Sequence, residues 1–245
     1  AAGIGGEAAL RAGKALKQNI LSVAATILQD RAENLDIRDG VIVTAVDRTE
    51  RMPLSELGRI VYFRGDTLPK DLAPELVVTR HYTQNTYPFC FTNAAHACYL
   101  EVDTDTGMIR LLGYWVVEDC GTVINPKLVA EQTRGGVVQG LGPALFEECI
   151  YSPEGQLMNG SLADYLVPMA GEMPDIVVDH VVTPTQTSEL GAKGVGEAGT
   201  AGAPAAVMNA LNDALGPFDV ELTDMPFTPE KILRALGRVS GRDQK

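Results

Sequence analysis

Apolar residues recur at three- and four-residue spacing early in the chain, at Leu16, Ile20, Val23, Ala24, Ile27 and Leu28, among Lys, Gln and Arg. That period marks one buried helical face and predicts an amphipathic helix from Glu7 to about Glu33, with the glycine-rich Ala1 to Gly6 as a loop at its N-terminus. The period then changes. Leu35 and Ile37 are separated from Val41 and Val43 by Asp39-Gly40, which predicts a tight hairpin with a positive-φ position given to Gly. Residues Arg48 to Pro74 are mixed, with a short helix at Ser55 to Val61. A strand through Tyr99, Glu101 and Val102, a polar turn at Asp103 to Gly107 and a strand from Met108 through Trp115 and Val117 form an antiparallel hairpin.

Asn125-Pro126 supplies an N-cap and an N1 proline for a helix reaching about Glu148, and Tyr151 to Gly155 reads as a turn. A strand at Ile176 to Val182 precedes an Ala-rich helix that Pro204 is expected to open and that ends near Leu215-Gly216-Pro217. A last helix runs from Thr228-Pro229-Glu230 to Gly237. The expected class is α+β, with mixed and antiparallel sheets and packed helices. Residues 1–237 are expected to form one domain of one or two lobes, and residues 238–245 a flexible tail.

Composition narrows the function. A net charge of −12 over 245 residues leaves no basic excess for phosphates, which argues against nucleic acid as a partner. Cys90, Cys98, Cys120 and Cys149 form no CxxC pair, so neither a zinc ribbon nor an iron–sulfur run is built here, and core thiols suit a reducing cytoplasm. His81, His96 and His180 lack metal-ligand spacing and read as structural, so no protein-held metal is expected. No stretch approaches the roughly 18 uninterrupted apolar residues a membrane helix requires, and no charged leader precedes one. A soluble, cytoplasmic protein is expected. The opening Ala1-Ala2-Gly3-Ile4-Gly5-Gly6 reads as the middle of a loop, as in a processed subunit or a piece of a longer chain.

Three segments suggest one site. In Gly194 to Gly199 a single ionisable side chain, Glu197, stands among residues of almost no bulk. Glycines let backbone approach a ligand, and a carboxylate sunk in such a loop would be desolvated and raised toward a useful range for a general base, an effect that an inward Lys193 would oppose. The same residues match GxGxxG. The preceding Thr183 to Glu189 is polar and turn-like, however, which rejects a dinucleotide-binding turn. The second segment is the helix bearing Gly135, Gly136, Gly140 and Gly142, each an interior glycine costing roughly 1 kcal/mol relative to Ala. Something must approach that backbone closely. Gln132 and Gln139 lie nearly two turns apart on one face and suit a polar cofactor, while tight packing on a neighbouring element is the simpler reading. The third is Ala1 to Gly6, whose backbone N–H groups at a helix start suit an anion, while a frayed terminus is the simpler reading of this segment alone.

Together these segments carry a resemblance. Asn125-Pro126, Gln132, Gln139-Gly140-Leu141-Gly142 with Glu147, Asp164-Tyr165-Leu166-Val167-Pro168, Lys193-Gly194-Val195-Gly196-Glu197 and Thr228-Pro229-Glu230-Lys231-Ile232 stand in the order and spacing of a known domain. The chain from Ala1 to about Gly237 resembles the C-terminal molybdopterin-binding domain of the xanthine dehydrogenase family of molybdenum hydroxylases. The resemblance implies that Glu197 is the base acting on a hydroxide of pterin-held molybdenum, which attacks an electron-poor carbon of an aldehyde or N-heterocycle. It places Ala2 against the molybdenum, Gly3 and Gly5 beside the pterin, and Gln132 and Gly196 in contact with the cofactor. Gly3 and Gly5 stand where relatives carry hydroxyl residues, so only backbone contacts transfer. Ala198-Gly199 in place of a proline pair resembles the carbon monoxide and aldehyde-oxidising branches.

The same resemblance implies molybdopterin in its cytosine dinucleotide form with molybdenum. It also implies an N-terminal molybdopterin-binding partner and [2Fe–2S] and FAD subunits as electron acceptors, because the upstream glycine-rich segment and those cofactors' sites have no counterpart here. The chain is expected to be inactive alone. A molybdenum–copper carbon monoxide dehydrogenase is the alternative within the family, and a non-catalytic scaffold of the same fold the alternative outside catalysis.

Overall fold

A computed structural model describes residues 2–70, 72, 74–84 and 90–239. Ala1 and residues 240–245, and with them part of the expected first loop and tail, lie outside the described residues. The chain divides into two compact units, Ala1–Asn85 and Thr86–Lys245.

In the first unit, helix α1 spans Ala2–Leu28 and is followed by strands β1 (Leu35–Arg38), β2 (Val41–Thr44) and β3 (Glu50–Pro53) and helix α2 (Leu54–Phe63). The β1–β2 hairpin is the expected one. Asp39 and Gly40 both take positive φ, the two-residue turn whose twist suits a hairpin. β3 adds antiparallel to β2 and was not expected, because Glu50-Arg51-Met52-Pro53 lacks apolar alternation. Val23 and Ala24 of α1 pack with Leu35, Ile42 and Leu57 into one small core. The predicted loop at Ala2 to Gly6 is instead the first turn of α1. No proline or side-chain cap intervenes to stop the helix, so it propagates backward despite the glycines. Glu7, fully buried, is held by Arg11 at 3.1 Å, and the Arg11 guanidinium lies over the Tyr82 ring.

The second unit is a three-stranded sheet, β4 (Asn93–Val102), β5 (Ile109–Asp119) and β6 (Ile176–His180), with helices α3 (Pro126–Leu145), α4 (Ala198–Leu215) and α5 (Pro229–Ala235). β4 and β5 are antiparallel, and β6 joins β5 in parallel, so the sheet is mixed. The register shifts where Tyr99 pairs Gly113 but Leu100 pairs Leu111, leaving Leu112 without a partner. One extra residue reverses the alternation. It brings Ile109 and Leu111 before the shift and Tyr114 and Val116 after it to the same core, with Val137, Leu141, Val207, Leu211, Phe227 and Ile232.

Asn125 caps α3 by accepting from the Leu128 N–H at 3.2 Å, and Pro126 takes N1. The helix ends at Leu145, before the expected Glu148, because the N–H groups of Phe146 and Glu147 both turn back to the Gly142 carbonyl. The larger correction concerns α4. It opens at Ala198, with Pro204 inside it, and Glu197 is its N-cap residue. A proline at this depth removes one backbone hydrogen bond near the start and leaves the rest of the helix intact.

Candidate functional site

The glycines of α3 receive a neighbouring helix. A Cβ added to Gly136 would lie 3.1 Å from the Gly199 Cα, and one added to Gly140 would lie 2.7 Å from the Thr200 carbonyl oxygen and 2.8 Å from the Ala203 Cβ. The close approach expected from sequence is thus the first turns of α4 pressed backbone to backbone on α3. Gly142 serves differently, since the Glu147 carboxylate, which accepts from the Tyr165 hydroxyl at 2.7 Å, occupies the place of its missing side chain. Gly135 faces open space.

This packing fixes where α4 begins and so where Glu197 sits. Beneath the first residue of α4, His96 of β4 reaches the Ala198 carbonyl through Nε2 at 3.0 Å and the Tyr114 hydroxyl through Nδ1 at 2.8 Å. A carbonyl only accepts, so Nε2 carries the proton and Nδ1 accepts from Tyr114. Burial pushes the His96 pKa down, partly offset by the bond to Ala198, and favours this neutral form. Gly202 is required above it, because a Cβ there would meet the imidazole ring.

Upstream of Glu197, the backbone is joined to the end of β5. Lys193 N–H donates to the Cys120 carbonyl at 2.7 Å, Thr122 N–H to the Gly191 carbonyl at 3.1 Å, and Gly121 bridges Ala192. Gly121 has φ +68°, and the Gly191 carbonyl fills the space a side chain would need. Asp119 lies at the centre of this junction. Its carboxylate accepts from Gly121 N–H at 2.9 Å, Thr183 N–H at 3.2 Å, the Thr183 hydroxyl and the Lys193 ammonium at 3.1 Å. Burial would raise its pKa, but the Gly121 N–H, Lys193 and the Thr183 N–H together outweigh burial and hold it below the ordinary carboxylate value.

Between these anchors runs the span Gly194-Val195-Gly196. Gly194 and Gly196 are exposed, with nothing within 4 Å of where a side chain would be. Gln132 of α3 donates from Nε2 to the Gly196 carbonyl at 3.1 Å. Glu197 follows, and its own carbonyl accepts from Thr200 and Ala201 N–H groups of the first turn. Its carboxylate is exposed and has no ion pair or hydrogen bond among the described residues. The desolvated acid expected from sequence is therefore not what this chain builds. Small neighbours leave room around a side chain but build no wall against water. Lys193 does not act on Glu197 as the opposing cation expected from sequence, because its ammonium is committed to Asp119.

The structure thus brings Gln132, Gly196 and Glu197 together in the second unit. Ala2, Gly3 and Gly5 stand in the first turn of α1, in the first unit. Asp119 and Tyr114 went unread in the sequence, and His96 was read as structural without its partners. For Asp119 there was a signal, a carboxylate at a strand end two residues before a glycine. For His96 and Tyr114 there was none, since their pairing arises only when β4 and β5 align. Among the described residues no group of three His, Cys, Asp or Glu side chains is placed to hold a metal ion, and His180 is bonded to buried Glu118 at 2.5 Å. Burial raises the Cys98 and Cys120 thiols to about 11, with Glu118 adding to the effect at Cys120.

Known proteins resemble this chain in sequence and fold over most of its length. Residues 1–174 match the family described as the molybdopterin cofactor-binding domain. The sequence is 38% identical over 235 residues to the nicotine 6-hydroxylase large subunit of Paenarthrobacter nicotinovorans, covering 96% of this chain and 29% of that one. It is 31% identical over 201 residues to the carbon monoxide dehydrogenase large chain of Afipia carboxidovorans, covering 80% and 24%. The fold is similar to quinoline 2-oxidoreductase from Pseudomonas putida 86, with a TM-score of 0.79 and 36% identity, covering 93% of this chain and 29% of that one. The chain spans less than a third of the length of each of these relatives. With the matched family covering well over half of its residues, the chain belongs to the molybdopterin cofactor-binding domain family of the molybdenum hydroxylases.

Proposed function

We propose that this chain is the C-terminal, cofactor-binding part of a molybdenum hydroxylase, that residues 1–237 act as one cofactor-binding domain, and that Glu197 is its general base. The observation that carries the reading is the placing of Glu197: an unpaired carboxylate at the mouth of α4, beside side-chain-free backbone and the Gln132 amide. The chemistry of these groups fits a pterin. Such a ring system offers N–H and carbonyl groups in a plane, and neutral amide and open backbone groups match it, whereas the nearby cation is neutralised by Asp119. Gln132 and Gly196 would hold its edge. Ala2, Gly3 and Gly5, in the first unit, are proposed to contact the cofactor through backbone alone; at the start of α1 the N–H groups of Ala2 and Gly3 have no partner within the helix.

When bound, the cofactor supplies two-electron redox chemistry and activation of a water-derived oxygen. Glu197 contributes by accepting the proton at a carboxylate oxygen, while Gln132 holds the Gly196 carbonyl and so the turn that aims it. Covering of this exposed acid falls to other parts of the enzyme, which is why the chain alone is inactive in this reading. The 38% and 36% identities are with proteins named for nicotine and quinoline, and they favour an electron-poor carbon of an N-heterocycle over an aldehyde as substrate. In this reading [2Fe–2S] and FAD on partner subunits in the cytoplasm would supply the electron acceptors, beside an N-terminal molybdopterin-binding partner, and the pterin would be the cytosine dinucleotide. Among the described residues no helix is long and apolar enough to cross a membrane.

Glu197→Gln in the assembled enzyme should retain molybdenum and lose turnover by about 10²–10⁴, the contribution of a positioned general base. Turnover near wild type in that variant would overturn the assignment, and molybdenum well below one atom per complex in the wild type would favour the non-catalytic scaffold. The similarity to a carbon monoxide dehydrogenase large chain supports a second reading, a molybdenum–copper site. Elemental analysis separates the two, since copper equal to molybdenum would select the second.

A further inference from the structure

Lys193 is the cationic member of the Lys-Gly-Val-Gly-Glu block, and the reaction assigned to Glu197 gives it no part. The geometry gives it one. Its side chain is largely buried, only 12% exposed, and so is that of its partner Asp119, whereas Glu197 four residues on is exposed. Asp119 in turn holds three separate segments: the turn after β5 through Gly121, the strand-to-loop exit after β6 through both groups of Thr183, and the candidate loop through Lys193.

The loop needs such a hold. Gly194 and Gly196 are exposed and make no contact where a side chain would be, so two of the three residues before Glu197 are free of the steric limits a side chain sets on the backbone. Downstream, the span is fixed by Gln132 on Gly196 and by His96 under Ala198. Upstream, the last side chain before it is Lys193. We infer that Asp119 is a positioning residue that acts through Lys193 to tether the upstream end of the Gly194–Gly196 span and so to set where Glu197 stands. The inference rests on Glu197 being the base. A buried ion pair commonly returns little net stability because desolvation opposes attraction, so fixing geometry is the better account of one retained beside an active loop.

The test uses Asp119→Asn and Lys193→Met in the assembled, cofactor-loaded enzyme, with hydrogen–deuterium exchange of residues 191–201 followed by mass spectrometry beside kcat, KM and molybdenum content. Both variants should exchange faster in that segment alone. kcat should fall by about ten- to a hundredfold, the penalty of displacing a catalytic group by roughly an ångström, with KM and molybdenum unchanged. The double variant should be no worse than either single one, because the two residues act as one device. Lys193→Arg, which keeps the charge and the reach, should recover most of kcat even if a bolder variant folds poorly.

Unchanged exchange in the segment would overturn the inference, as would a rise in KM at constant kcat. Loss of protection throughout the second unit together with loss of molybdenum would also overturn it, by assigning the pair to the stability of the fold. Glu197→Gln separates this from the reading beneath it. That variant should keep wild-type exchange while losing turnover, and normal turnover there would remove the base assignment whatever the exchange of the tether variants shows.

Discussion

His96 is held neutral by its surroundings, and this has a consequence for stability against pH. Its pKa is lowered in the folded state, so below the unfolded value of about 6.5 the unfolded chain binds more protons than the folded one. Stability therefore falls as the pH drops through that value. His96→Gln, which retains a donor for the Ala198 carbonyl and cannot be protonated, should flatten this slope in urea melts between neutral and mildly acidic pH; an equal slope in both proteins would contradict the assignment. Asp119 acts in a lower range. Its carboxyl is depressed, so its contribution is complete at neutral pH, begins to be lost as the pH falls below the unfolded value of about 3.9, and is gone below the folded one. Glu197 shows where residue reading stops. Its identity and its glycine neighbours could be read directly, but its exposure could not, because burial depends on what covers a loop and local sequence records only the loop's own bulk.

At the scale of elements, the glycines of α3 divide into two kinds with opposite expected effects. Gly135 faces open space, so Gly135→Ala should stabilise the helix by up to about 1 kcal/mol. Gly140→Ala would force a methyl group against the backbone and Ala203 of α4 and should destabilise by about 1–3 kcal/mol. Equilibrium denaturation measures both, and a destabilising Gly135→Ala would show that the two faces have been misassigned. Periodicity and turn residues made the β1–β2 hairpin, the β4–β5 hairpin and the caps of α3 and α5 legible. They misplaced the start of α4 because a proline is the strongest local sign of a helix opening, yet tertiary packing on Gly136 and Gly140 holds the turns before Pro204 in helical form. The parallel pairing of β6 was equally hidden, since strand direction is decided by the path of the intervening chain.

For the whole molecule, the decisive fact is that an acid assigned to chemistry stands in solvent in a chain under a third the length of its relatives. Carbodiimide labelling should modify Glu197 readily in the chain produced alone and poorly in the assembled enzyme. Equal labelling in both would mean that no other part of the enzyme covers it. The family was legible because its blocks stand in register over most of the chain, whereas the place at which the two units divide was not, since no linker of distinctive composition separates them.

The unpaired Leu112 bears on how this fold tolerates change over time. As a side chain it is replaceable, being partly exposed and outside the ladder. As a spacer it is not, because excising it would put Ile109 and Leu111 out of phase with Tyr114 and Val116 and turn one pair toward water. Drift at this position should therefore take the form of residue exchange at constant length, with single-residue deletions between Leu111 and Gly113 selected against even where almost any amino acid is accepted.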